Sequence, residues 1–271
     1  MNLSFESVYR VSTRKSFPGE EDINSLSQAL GMELPIGYRE YVTSLGLGTM
    51  CTFLIVKMPS QIRNPERQDE EFYRKVFAYA GQYASKPGNV AGLDSTDFER
   101  ATVFAYASAE APIWFASRTQ GARLFEHVEG DTFEIENGFF GLVERCAAGQ
   151  QHEFPFFEPR NGRRRMRQLY VRPGVGRTGF VEAMSRRWGR DNLRCSRSSK
   201  EEYYPHYFVP AIEGHIELHL DPQYNRLPGD SFLVRACYDI DSEAELAALV
   251  EPLLLPGGGP HEFMGEPFWL P

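Results

Sequence analysis

A chain of 271 residues with 42% hydrophobic content can form one large domain or two ordinary ones, and it carries enough apolar mass to fold around real cores. No stretch approaches the ~20 apolar residues of a membrane span, and the opening MNLSFESVYR has no basic segment leading into an apolar run, so a soluble cytoplasmic protein without export or membrane anchoring is expected. A net charge of -8 argues against a general nucleic-acid binder, and Cys51, Cys146, Cys195 and Cys237 stand too far apart for a CxxC zinc knuckle or a disulfide scaffold, which leaves them as expected buried thiols.

From Glu20 to Ser44 the spacing predicts two helices. Ile23, Leu26 and Leu30 make the inner face of the first and Gly31 stops it; Pro35 opens the second, where Tyr38, Tyr41, Val42 and Leu45 are spaced for burial. Gly46 and Gly48 lead into an apolar run, Cys51 to Met58, that reads as one strand ended by Pro59. A helix is predicted over Glu66 to Tyr83, with Phe72, Val76, Tyr79 and Tyr83 as its apolar edge. Strands are predicted at Ala101–Ala107, Pro112–Ala116 and Leu124–Val128, and a closing helix from Thr132 to Ala147 with Phe133, Phe140, Val143 and Phe139 inward. Helices, a strand meander and a last helix define an α+β domain over residues 1–150.

Several of these patterns resemble the SUKH superfamily, the SMI/KNR-type domain of bacterial toxin-immunity proteins. The matching residues are Leu30-Gly31, Leu34-Pro35 followed by Tyr38, Arg39 and Tyr41, the glycines at 46 and 48, the strand ending at Pro59, the FAYAS strand at Phe104 to Ser108, and the aromatic-rich close at Phe133 to Val143. The sequence departs from the family where Leu45-Gly46-Leu47-Gly48 replaces an asparagine-glycine turn and Glu110-Ala111-Pro112 replaces a Gly-Asp-Gly hairpin. The resemblance implies a binding module with no catalytic residues, no cofactor, and a cognate protein toxin as partner; it supplies no fixed set of contact residues. Residues 1–150 carry a net charge of -6, which would suit a basic, nuclease-type toxin, and which equally serves as a solubility surface.

Residues 149–162, with Pro155, Pro159 and Asn161-Gly162, read as a linker. A second, smaller α+β unit follows over residues 163–271, with strands at Met166–Val171, Leu193–Ser196, His215–Leu220 and Ser231–Tyr238 and helices at Thr178–Arg190 and Ser242–Leu254, the last N-capped by Ser242. Its turn, VRPGVGRTGF, has the look of the phosphate-binding loop of protein tyrosine phosphatases, and backbone N–H groups with Arg177 could hold an anion there. The position of the phosphatase nucleophile, six before the arginine, is Val171, which cannot attack phosphorus, and no Trp-Pro-Asp acid loop is present. A plain glycine turn between strand and helix is the other reading. Arg160 to Lys200 holds 13 basic residues against Glu182 and Asp191, either a phosphate- or nucleic-acid-binding surface or arginines balanced by later acids.

In GHIELHLD, strand alternation puts His215, Glu217, His219 and Asp221 on one face. That donor set suits zinc or a similar ion, with Cys237 or Asp239 as neighbours, and would support a metal-dependent hydrolase; a half-buried strand with a wet polar face produces the same alternation. His206 and His261 stand alone in the sequence. No Walker, Rossmann or serine-nucleophile context is present, which favours binding over catalysis.

Overall fold

The computed structural model describes residues 4–83, 92–108, 112–149, 152–195, 204–220 and 231–254. They form an α+β fold with two sheets, divided into a first unit (Met1–Tyr9, Arg14–Gln150 and Pro155–Pro159) and a second (Arg10–Thr13, Gln151–Phe154 and Arg160–Pro271). Elements of the first are, in chain order, β1 (Tyr9–Arg10), α1 (Glu20–Leu30), α2 (Tyr38–Ser44), β2 (Gly48–Met50), β3 (Leu54–Val56), α3 (Pro59–Arg63), α4 (Arg67–Tyr83), α5 (Ser95–Glu99), β4 (Ala101–Ala107), β5 (Ile113–Ser117), β6 (Leu124–Val128), β7 (Asp131–Ile135), α6 (Phe139–Gly149) and β8 (Phe156–Pro159).

The first two helices form as their residues dictate. Three acids occupy the first turn of α1, where the helix dipole favours them, and Ile23, Leu26 and Leu30 fall on one stripe and are buried. Gly31 takes a left-handed φ of 61° and its N–H donates to the carbonyls of Ser27 and Gln28, so the chain turns away. Tyr38, Tyr41, Val42 and Leu45 are fully buried. The Tyr38 ring meets Phe104 edge-on at 5.0 Å and its hydroxyl donates to the Lys57 carbonyl at 2.8 Å; Tyr41 packs on Phe139 and Phe157. Both tyrosines are core residues, and burial pushes both phenols far above their ordinary pKa.

The sheet runs β1-β8-β2-β3-β4-β5-β6-β7. Three elements differ from the sequence expectation. The run Cys51–Met58 is not one strand: it supplies the turn and the second strand of a hairpin, β2 against β3, because Cys51 and Thr52 adopt φ of 51° and 58°; neither is glycine or asparagine, so the turn carries no sequence signal. The expected helix from Thr132 begins only at Phe139. Glu129 and Gly130, both with positive φ, turn the chain back so that β7 pairs with β6; Phe133 lies on the outer face at 36% exposure, while Phe139 and Val143 are buried. The expected linker contains β8, which pairs with β2 and whose four residues are all buried, so it shows no alternation to read.

On α4 the inward stripe is Phe77 and Ala80, which are buried, and Tyr73 and Val76, which are half-buried, with Phe77 against Phe98 and Phe115. Phe72 and Tyr79, expected inward, are 41% and 56% exposed; the helix has aromatic residues on both sides, and the side facing β5 wins. The side chain of Tyr83, and Glu110 and Ala111 of the segment replacing the Gly-Asp-Gly hairpin, lie outside the described residues, while the Pro112 carbonyl accepts from the Ala107 N–H at 2.9 Å.

Gly46 and Gly48 have a physical reason. Gly46 has φ of 78°, and a Cβ there would sit 2.2 Å from the Ser16 carbonyl oxygen; a Cβ on Gly48 would sit 2.2 Å from the Phe157 ring and 2.4 Å from the Glu158 carbonyl oxygen. Gly48→Ala is therefore expected to destabilise the first unit by about 2 kcal/mol through overpacking of β2 against β8, read as a lowered urea midpoint; an unchanged midpoint would mean that the strands have room to part.

The second unit contains β9 (Arg164–Val171), α7 (Gly176–Trp188), β10 (Arg194–Cys195), β11 (His206–Val209), β12 (Gly214–His219), β13 (Phe232–Asp239) and α8 (Glu243–Val250). Its sheet is ordered β10-β11-β12-β13-β9 with every neighbour antiparallel. One face carries Leu169, Val171, Ile216, Leu218, Val234, Ala236 and Tyr238 into a core completed by Phe180, Met184 and Trp188 of α7 and Leu246, Leu249 and Val250 of α8. Ser242 caps α8 without a side-chain bond to the helix.

Candidate functional site

The side chains of β11, β12 and β13 that point away from this core form the candidate site. Register sets His206 opposite Glu217, Phe208 opposite His215, Glu217 opposite Arg235 and His215 opposite Cys237. Glu217 is the centre. Its Oε1 lies 3.2 Å from His206 Nε2, its Oε2 3.3 Å from His219 Nε2 and 3.4 Å from the Arg235 guanidinium. The His206 ring stacks on His215 at 5.5 Å and meets His152 edge-on at 5.7 Å; the Tyr204 ring stands 5.2 Å from that of His219. Residues 152–154, which belong to this unit, also place Phe154 against Phe208, with the Arg194 guanidinium 3.8 Å from the Phe154 ring centre. Four of the six histidines of the chain thus gather around one carboxylate.

Burial acts to raise the Glu217 pKa, but the contacts from His206 and His219 outweigh it and hold the carboxyl well below the usual carboxylate range. The group is an anion fixed among donors.

Of the expected metal-ligating face, Glu217 and His219 are in contact, while His215 stacks on His206. Among the described residues, His215, Glu217 and His219 do not bring three ligand atoms within 4.8 Å of one another. Cys237 is the cross-strand neighbour of His215, but Asp239 is turned to Arg163 and caps the turn before α8. Asp221 and His261 lie outside the described residues. His206 is a member of the cluster although it looks isolated in the sequence; the period-two alternation of HYFV, with Phe208 on the same face, is the signal that could have placed it. Nothing local in the sequence marks His152.

The GVGRTG turn joins β9 to α7. Gly174 and Gly176 take φ of 85° and 58°, Arg177 is exposed in the first helical turn, and Val171, at the position of a phosphatase nucleophile, is fully buried in the core. Many of the arginines around it are matched with acids: Arg163 with Asp239 and Asp241, Arg167 with Glu243, Arg186 with Glu182, and Arg187 with Glu245, which also accepts from the Trp188 indole at 2.7 Å.

In the first unit, a groove of about 520 Å³ is lined by Tyr73, Phe77, Phe98 and Val103, with Lys57 among its walls. A second surface feature is the loop before α2. The Ile36 N–H donates to the Ala122 carbonyl at 3.1 Å and its carbonyl accepts from the Phe139 N–H at 2.8 Å, yet its side chain is 53% exposed, flanked by exposed Glu33 and Glu40.

What fold and sites define is a two-unit α+β chain with an imidazole–carboxylate cluster in one unit and an acid-flanked apolar knob on the other. Comparison with known proteins adds no relative: no family model, no curated protein and no solved structure matches the chain.

Proposed function

We propose that the chain is a non-enzymatic, cytoplasmic immunity-type protein that binds and neutralises a basic, nuclease-like protein toxin. The observation that carries this reading is Ile36: an apolar side chain held out to solvent on backbone pinned from two sides, in a segment that also exposes Glu33 and Glu40. A rigid exposed anchor loses little freedom on binding, and the net charge of -6 over residues 1–150 would draw a basic partner in and disfavour acidic ones. The reading also draws on the resemblance of the sequence to SUKH domains.

The test is a native pull-down from the host organism with the tagged full-length chain. The expected result is one stoichiometric basic polypeptide whose expression alone is toxic and whose toxicity is relieved by co-expression of the chain. Recovery of no protein, or of one that is harmless alone, overturns the reading.

A further inference from the structure

We propose that the groove of the first unit binds a small uncharged molecule with a flat apolar body and a carbonyl oxygen, held by the Lys57 ammonium and independent of any protein partner. Its volume of about 520 Å³ is that of a small-molecule site, commonly about 300–1,000 Å³. Ile62 of α3, Tyr73 and Phe77 of α4, Phe98 of α5 and Val103 of β4 supply an apolar wall on which a ring system can pack. The lining strand is open on one side. β3 pairs only with Ala105–Ala107 of β4, so no described strand covers the β3 side of Ala101–Val103, which line the groove.

Lys57 supplies the polar contact. An ammonium carries three N–H donors, yet among the described residues its one acceptor is Asp69, at 2.8 Å. Its other neighbours are the rings of Tyr73 and Tyr106, whose centres lie 4.8 and 5.9 Å from the nitrogen and whose π-faces attract the charge without acting as oxygen acceptors. The side chain is 7% exposed, so its remaining donors have little access to bulk water, and a buried donor without an acceptor is costly. A ligand oxygen entering the groove relieves that cost. Charge decides which kind of oxygen: around the groove Lys57 and Arg74 are outnumbered by Asp69, Glu70 and Glu99, so no surplus positive charge offsets the desolvation of an anion. A carbonyl accepts the same N–H without bringing a charge.

The experiment is a methyl NMR titration of the full-length chain with 2-naphthamide and, in parallel, with 2-naphthoate, which has the same rings and a carboxylate. The amide is expected to shift the methyl signals of Leu30, Ile62 and Val103, which line the groove, and to bind more tightly than the carboxylate. Lys57→Met keeps the length of the side chain and removes its donors; it should weaken the amide at least ~10-fold, the loss of a hydrogen bond to a charged donor. Ala78→Trp, at an exposed position of α4 that borders the groove, should block the amide. Circular dichroism checks each fold; should Lys57→Met fail to fold, Ala78→Trp and the contrast of amide with carboxylate in the wild type still decide. The proposal is overturned by unmoved methyl signals in the wild type, by equal affinity in Lys57→Met, by binding that persists in Ala78→Trp, or by a carboxylate that binds as tightly as the amide.

Discussion

Asp97→Ala is expected to destabilise the first unit by about 3 kcal/mol, the cost of removing a buried carboxylate that accepts from several groups, the buried Ser117 hydroxyl among them. Asp97 is 3% exposed on α5 and its carboxylate is surrounded. It accepts from the Ser117 hydroxyl at 3.2 Å, from the Thr119 hydroxyl, from the Gln120 amide at 3.0 and 3.1 Å and from the Asp94 N–H at 2.9 Å, while its own N–H donates to Asp94. Alanine would leave three side chains at the end of β5 without their acceptor. Burial acts to raise the Asp97 pKa, but these donors prevail and hold it below the ordinary value. The sign follows from that depression: the anion's contribution is complete above the unfolded pKa of about 3.9 and is lost as pH falls through the folded value. Hydrogen-exchange mass spectrometry should show β5 peptides exchanging much faster in Asp97→Ala at neutral pH, with the gap from wild type narrowing below about pH 3.9. Equal protection at neutral pH would mean that water replaces the carboxylate at little cost.

A second large effect is an asymmetry. Lys57 is 5% exposed, with its ammonium 2.8 Å from Asp69 and 4.8 Å from the centre of the Tyr73 ring. Asp69→Ala leaves that charge buried with only ring faces for company and should cost about 3 kcal/mol; Lys57→Met removes charge and desolvation together, fills a similar volume, and should cost under about 1 kcal/mol. Urea unfolding of the two variants measures the contrast. Equal losses would show that the pair is solvated, as the 29% exposure of the Asp69 side chain would then explain.

Helical periodicity made α1 and α2 legible down to Gly31, because each buries one stripe and exposes the other. Where that contrast disappears, so does the signal. β8 is buried on every side, and α4 offers aromatic residues to two faces, so only the position of β5 decides that Phe77 rather than Tyr79 goes inward. The turns at Cys51-Thr52 and Glu129-Gly130 depend on positive φ at three residues other than glycine, a conformation that tertiary contacts impose. For the candidate site, alternation along β12 revealed His215, Glu217 and His219, but their partners His206 and His152 come from segments that only the register of β11 and the course of residues 152–154 bring close.

The place of β8 bears on how the chain folds as it is made. Gly48–Met50 needs Phe157–Pro159 to complete its hydrogen bonding, and the Tyr9 N–H donates to the carbonyl of Pro155, so the sheet of the first unit closes only after more than half the protein has been synthesised. Until then β2 is an open edge. Contacts spanning so much sequence slow folding, and an unpaired apolar edge invites association with other chains. A ribosome pausing before residue 159 would therefore hold out an incomplete sheet, and a fragment ending at residue 150 would present the same sticky edge permanently.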